Sequence, residues 1–485
     1  MKNELILYFP IAKRIFARAV CLFILYVVGS SQLHSQEIDE VWIDPTQEYQ
    51  KIEGFGASIM GWREDMIEMY QDSAYLDYVV NELGLSIFRM QIWPDVSTTP
   101  IERIEDIRYE DFVWEGPGRR GRINMEFAKR ILKINPEIKI IGSIWSPPAW
   151  MKESQKIQGS RAGFLLDPNR DYDDDNRLRD DMYGHYAKWI FEWVAYMESE
   201  GVPLYALGPQ NELMFTEPYE SCMFTPAEFA RLVRMIGERF EMENFPRPII
   251  YGPEDMTLAT YEAENKNARH TPYVDALMAE DVAPYFDVFA THGYTDGVEA
   301  GGRLDPKKYW ESIRQFGRPY WITEGGTGGH EWPTPIENGI ASYIHHALVD
   351  GNVNAFVCWQ ISDVVRNTHG VMERRIPTPK TYAAMHCWRS IRPGFHRIAA
   401  GTSAKNLLVS AFKNPATEQL VVVVINDGAS ERPVHFRISP VRSESFTPFT
   451  TSHTLEFSQG REIQPDHEGM TLSIPGKSII TLVQM

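Results

Sequence analysis

From Ile52 onward the chain repeats one pattern, a short apolar run followed by a longer stretch with apolar residues every third or fourth position. The short runs have the character of strands buried on both faces, and the longer stretches that of amphipathic helices. The runs are Ile52–Ile59, Ser86–Ile92, Ile138–Trp145, Leu204–Gln210, Pro248–Gly252, Asp287–His292, Pro319–Glu324 and Val353–Gln360. Tyr183–Glu200, Pro226–Glu243, Pro335–Asp350 and Lys380–Ser390 are the clearest helical stretches. Eight such units predict an α/β chain folded as a (β/α)8 TIM barrel rather than an open doubly wound sheet. The open sheet would need a glycine-rich dinucleotide turn after its first strand, and Gly54-Phe55-Gly56 lacks the third glycine and the helix.

Beyond about Pro393 the pattern shortens. Leu407–Lys413, Gln419–Ile425, Pro433–Ile438 and Ser478–Val483 read as strands separated by turns such as Asn426-Asp427-Gly428 and Pro475-Gly476. A C-terminal β-sandwich side domain is the expectation, and the strand-like Asp39–Tyr49 is expected to join it. The expected division is a signal peptide over 1–35, an N-terminal side-domain strand over 36–50, the barrel over 51–390 and the sandwich over 391–485.

The leader reading rests on Lys2, Lys13, Arg14 and Arg18 ahead of the apolar run Ala19–Val28, then Gly29, Ser30, Ser31 and Ser35, with cleavage expected near Ser35-Gln36. The run is short for a membrane helix, so a secreted or periplasmic protein with no span after leader removal is expected. Cys222, Cys358 and Cys387 then remain; their spacing fits no zinc motif, and buried free thiols are expected. A net charge of −18 over 485 residues argues against nucleic acid or an anionic membrane as partner. A monomer is expected. The 13 Trp and 22 Tyr supply flat faces of the kind that sugar rings stack on.

Two long connections, from about Trp93 to Asn124 and from Ser146 to Asp180, leave the C-terminal rim, where barrel enzymes build their clefts. The second carries Asp171, Asp173, Asp174 and Asp175, which reads as a solvated acidic loop before it reads as a calcium site.

Glu212 stands two residues past the fourth run, after Asn211, and Glu324 ends the seventh. Glycoside cleavage with retention uses two such carboxylates about 5–5.5 Å apart, one protonated and one ionised. Asn211 is suited to bind a sugar 2-hydroxyl, and Gly325-Gly326 leave Glu324 accessible. Arg89 is a charge inside an apolar strand and needs a carboxylate partner, for which Glu324 is the expectation. His292 and Tyr294 close the sixth strand, within reach of the nucleophile or a hydroxyl. Trp145 and Trp359 end the third and eighth strands and are expected as a stacking floor, with Trp62 a weaker candidate.

These motifs resemble glycoside hydrolase family 30. Gly54-Phe55-Gly56-Ala57, Ser146-Pro147-Pro148-Ala149-Trp150-Met151-Lys152, Gln210-Asn211-Glu212, Thr323-Glu324 and Arg392-Pro393-Gly394-Phe395-His396-Arg397-Ile398 carry the likeness over nearly all of the mature chain. The resemblance implies Glu212 as acid/base, Glu324 as nucleophile, a side sandwich built from both chain ends, a polysaccharide or oligosaccharide substrate and no metal or organic cofactor. The last third is most similar to the family's bacterial xylanases, some of which read a glucuronic acid branch with an Arg and a Tyr after strand eight. Here that loop holds Asp363 and Arg366 at a different spacing. Neutral xylan, a β-1,6-linked glucan or galactan, and a glucosylceramide-like substrate stay open. A non-catalytic carbohydrate-binding protein is the rival from another class. A metal-dependent barrel enzyme is the third reading, and it would need more ligands than His292 supplies.

Overall fold

The computed structural model describes residues 38–61, 63–159, 163–164, 175–216, 218–255, 272–292, 306–363, 368–440 and 444–485. Eight parallel strands close into a barrel: Gly54–Ser58, Ile87–Ile92, Lys139–Ile144, Ala206–Gly208, Ile249–Asp255, Val288–His292, Tyr320–Gly325 and Ala355–Cys358. Each lies within, or within three residues of, one of the eight apolar runs. Alternation along the strands divides their side chains between two apolar layers. Ile87, Ile141, Tyr251, Val288, Ala290, Trp321 and Val357 fill the barrel interior. Phe88, Met90, Ile92, Ile140, Ile250, Phe289 and Ile322 pack outward against the helices.

The helix Pro226–Met242 shows how local chemistry sets an element's start. Thr225 Oγ1 accepts from the Glu228 amide at 3.3 Å, Glu228 Oε2 accepts from the Thr225 amide at 2.6 Å, and Pro226 needs no donor at the first position. Two expected elements differ from the pattern. The stretch Pro335–Asp350 is two helices, Thr334–Glu337 and Ile340–Val349, because Gly339 is extended at φ −157° and packs on the Pro335 backbone. The connection from Trp93 ends at residue 118, since Arg119–Ile134 is already helical. Three arginines and Gly121 in its first turn hid that helix from the periodicity.

Asp39–Lys51 pairs antiparallel with His396–Thr402 and parallel with Arg432–Ile438, so the N-terminal strand does join the side domain. That domain is a nine-stranded mixed sheet curled around its own core of Val41, Ile43, Val422, Val424, Phe436 and Leu482. Cys222, Cys358 and Cys387 are buried free thiols. No helix among the described residues is long and apolar enough to cross a membrane.

Candidate active site

Arg89 reaches the barrel axis by parity. On its strand Ile87 points inward and Phe88 and Met90 outward, so the guanidinium lies two residues above Ile87 on the inner face. Ser143 sits likewise two residues above Ile141, and His292 two above Ala290. Glu324 would point outward by the same count from Ile322. A register shift between Ile322 and Glu324 turns it inward instead. Glu212 and a third carboxylate, Glu254, adopt left-handed backbone at φ 45° and 55°. Non-glycine residues avoid that region at a cost of about 1–3 kcal/mol, and it is concentrated at functional sites.

These side chains form one buried network. Arg89 Nη1 donates to Glu324 Oε2 at 2.6 Å, and Nη2 donates to Asn211 Oδ1 at 2.8 Å and Glu254 Oε1 at 3.1 Å. His292 lies between carboxylates, with Nδ1 2.8 Å from Glu212 Oε1 and Nε2 3.3 Å from Glu254 Oε1. Its Nδ1 is 3.8 Å from Glu324, beyond hydrogen-bond reach, so the sixth-strand histidine serves Glu212 rather than Glu324. A Glu212 oxygen, a His292 nitrogen and a Glu324 oxygen all lie within 4.8 Å of one another. In isolation that trio could ligate a metal. The buried Arg89 cation already neutralises it, however, and both imidazole nitrogens are engaged by carboxylates, so the cluster suits protons better than a dication.

Charge sharing inside the barrel shifts Arg89, Glu254, His292 and Glu324. Burial would lower the proton affinity of Arg89, but the charges of Glu254 and Glu324 outweigh it and keep the guanidinium protonated. Burial would raise Glu254, yet the Arg89 charge and the His292 bond bring it down to about 2. Burial would lower His292, yet the charge of Glu324 and the bonds to Glu212 and Glu254 lift it to about 10. Glu324 is raised, by burial first and then by the Glu212 and Glu254 charges, against the pull of His292 and Arg89.

Trp145 and Trp359 face each other across the rim, ring centroids 6.0 Å apart, and Arg89 lies 4.8 Å over the Trp145 ring. Trp62, Tyr294, Arg366, Asp171, Asp173 and Asp174 lie outside the described residues. Asp175 is exposed. Periodicity overlooked Glu254. Its signal was a charge just past the apolar run Ile249-Ile250-Tyr251, after the Gly252-Pro253 turn pair.

Residues 394–482 match the glycosyl hydrolase family 30 beta sandwich domain. Glucuronoxylanase XynC of Bacillus subtilis is 23% identical over 489 residues, covering 98% of both chains. Among solved structures, the glycoside hydrolase family 30 subfamily 8 xylanase Xyn30A from Clostridium acetobutylicum superposes with a TM-score of 0.73 at 23% identity. That match covers 92% of this chain and 99% of the other. The endo-β1,6-glucanase BT3312 superposes with a TM-score of 0.65 at 19% identity, over 91% and 93% of the two chains. The solved structures carry the fold, a barrel with a side sandwich. The domain match and the full-length relative bear out the resemblance to glycoside hydrolase family 30 and set this chain among the glycosidases.

Proposed function

We propose that this glycoside hydrolase is a secreted retaining β-glycosidase acting internally on xylan, with Glu212 as acid/base and Glu324 as nucleophile. The observation that carries the reading is the pair of carboxylate oxygens within 4.8 Å on one barrel rim. That spacing leaves room for one anomeric carbon between them and none for an intervening water, as retention requires. The attacking role goes to Glu324, whose carboxylate has the Arg89 guanidinium at 2.6 Å to hold its charge.

In the first step Glu324 attacks the anomeric carbon while Glu212 protonates the departing oxygen. In the second, Glu212 takes a proton from water, which releases the sugar from Glu324. Asn211 Oδ1 accepts from Arg89, so its amide NH2 faces the 2-hydroxyl as a donor. Trp145 and Trp359 supply the floor. Similarity to a glucuronoxylanase along the whole chain supports xylan. Asp363, held by Gln360 Nε2 at 2.8 Å in the segment after strand eight, favours a neutral chain over an acid-branched one. The basic start and the run Ala19–Val28 support export.

Glu324→Gln and Glu212→Gln are expected to lower kcat by about 10²-fold or more in a protein that stays folded. A 2-fluoro glycoside should label a peptide containing Glu324. Near-wild-type turnover in either variant, or a label elsewhere, overturns the assignment. Products from a panel of neutral xylan, glucuronoxylan and β-1,6-glucan decide the substrate. Short oligosaccharides from β-1,6-glucan alone would move the chain to the glucanase reading that the BT3312 likeness supports.

A further inference from the structure

Glu254 takes no part in the two steps above, yet it is fully buried and held from three other barrel strands. Its Oε1 accepts from Arg89 Nη2 and His292 Nε2, and its Oε2 accepts from Ser143 Oγ at 2.5 Å. The barrel is shaped to admit it. A Cβ at Gly208 would fall 2.8 Å from Glu254 Oε2 and 2.6 Å from the Tyr251 ring, so only glycine leaves the space. The strand also shifts register between Pro253 and Asp255, and Glu254 takes left-handed backbone at φ 55°. An ion pair that merely filled the barrel could be made from regular strand, as Arg89 shows. The strained backbone is spent on aim.

We propose that Glu254 is a positioning residue of the glycosidic reaction, holding His292 so that Nδ1 addresses Glu212. The proposal rests on the reading of Glu212 as acid/base. Glu254 is kept ionised by Arg89 and Ser143, so it can only accept, and the His292 nitrogen facing it must carry the proton. With Nε2–H committed to Glu254, Nδ1–H is offered to Glu212 Oε1, which leaves Oε2 for the glycosidic oxygen. When Glu212 gives its proton to that oxygen, the new carboxylate already faces an imidazolium. When Glu212 takes a proton from water in the second step, the balance is restored with no other donor or acceptor. Among the described residues, Glu212 beyond strand four, Glu254 from strand five and Glu324 from strand seven face His292, and Arg89 from strand two reaches it through Glu254 and Glu324.

Glu254→Gln removes one negative charge from this set, so its neighbours bind protons more weakly. The alkaline limb of kcat/KM should move down by about one pH unit or more. Hydrolysis of a glycoside with an unactivated alcohol should fall about 10²-fold. A dinitrophenyl glycoside, whose leaving group needs no proton, should fall less than tenfold. Glu254→Asp keeps the charge and should return the alkaline limb to the wild-type pH.

The proton's place is read without any loss of stability in the wild-type protein labelled with 15N-histidine, the His292 signal being assigned by its disappearance in His292→Gln. Nε2 should be protonated at every pH, with Nδ1 the nitrogen that titrates. An Nδ1–H, Nε2-bare tautomer overturns the proposal. So does a folded Glu254→Gln variant that slows both substrates equally with an unmoved pH limb. If the wild type cleaves no glycoside at all, the acid/base reading fails, and the tautomer alone then decides whether Glu254 positions His292.

Discussion

Glu254 and His292 bind protons far more differently in the folded and unfolded chain than ordinary surface groups do, and the two differences run in opposite directions. Glu254 titrates near 2 when folded and near 4.5 when unfolded, so its contribution to stability is present above the unfolded value and is lost as pH falls through 2. His292 titrates near 10 when folded and near 6.5 when unfolded. Its contribution is complete below 6.5 and is lost as pH rises through 10. The site therefore stabilises the fold most between pH 4.5 and 6.5. The melting-temperature gap between wild type and His292→Gln should be widest below pH 6.5 and close steadily toward pH 10. Scanning fluorimetry across that range checks it, and a gap that widened with pH would mean that the folded protein holds a neutral imidazole.

Elements were legible where an apolar run and its flanking turn agreed, which is why the eight barrel strands stand in the sequence so plainly. Side-chain direction at the strand ends was not. Alternation alone puts Arg89, Ser143 and His292 inside the barrel and puts Glu324 outside. Only the register shifts after Ile322 and Pro253 bring Glu324 and Glu254 to the axis, and pairing between distant strands creates those shifts. The turn Ser146-Pro147-Pro148-Ala149-Trp150-Met151-Lys152 was likewise visible as a motif without its reason. Lys152 is fully buried, and its ammonium donates to Ser146 Oγ at 3.2 Å, Ile157 O at 3.2 Å, Asn176 Oδ1 at 2.6 Å and Ser221 O at 2.6 Å. One cation thus ties the rim loops after strands three and four together. Lys152→Met leaves those oxygens unsatisfied in a dry setting, at about 3 kcal/mol. Trypsin should cut at Lys156 or Arg177 well before the barrel unfolds, and KM should rise several-fold as the rim loosens. A variant as protease-resistant as wild type would mean that the loops hold without it.

Barrel and sandwich share more than a boundary, and the strand Leu420–Asn426 shows why. All seven of its residues are buried. Val422 and Val424 face the sandwich's own core, while Val421, Val423 and Ile425 belong to the apolar cluster of the barrel and its helices. The helix Pro379–Trp388 closes the contact, with His386 Nδ1 2.8 Å from Thr481 Oγ1 and Nε2 2.9 Å from Thr451 Oγ1. Burial without a carboxylate nearby holds that imidazole neutral, near 3, so it stays a hydrogen-bonding bridge at any working pH. A sheet buried on both faces cannot be peeled from the barrel without exposing a stripe of valine and isoleucine to water. The two parts should therefore melt together. Val423→Ala and Val424→Ala each remove two buried methyl groups from opposite faces of one strand, at about 2 kcal/mol apiece. Calorimetry should find a single transition, lowered by both variants to a similar extent, with the active site lost at the same temperature. Two separated transitions, with Val424→Ala lowering only the one that leaves hydrolysis intact, would show instead that the sandwich is an independent passenger on the barrel.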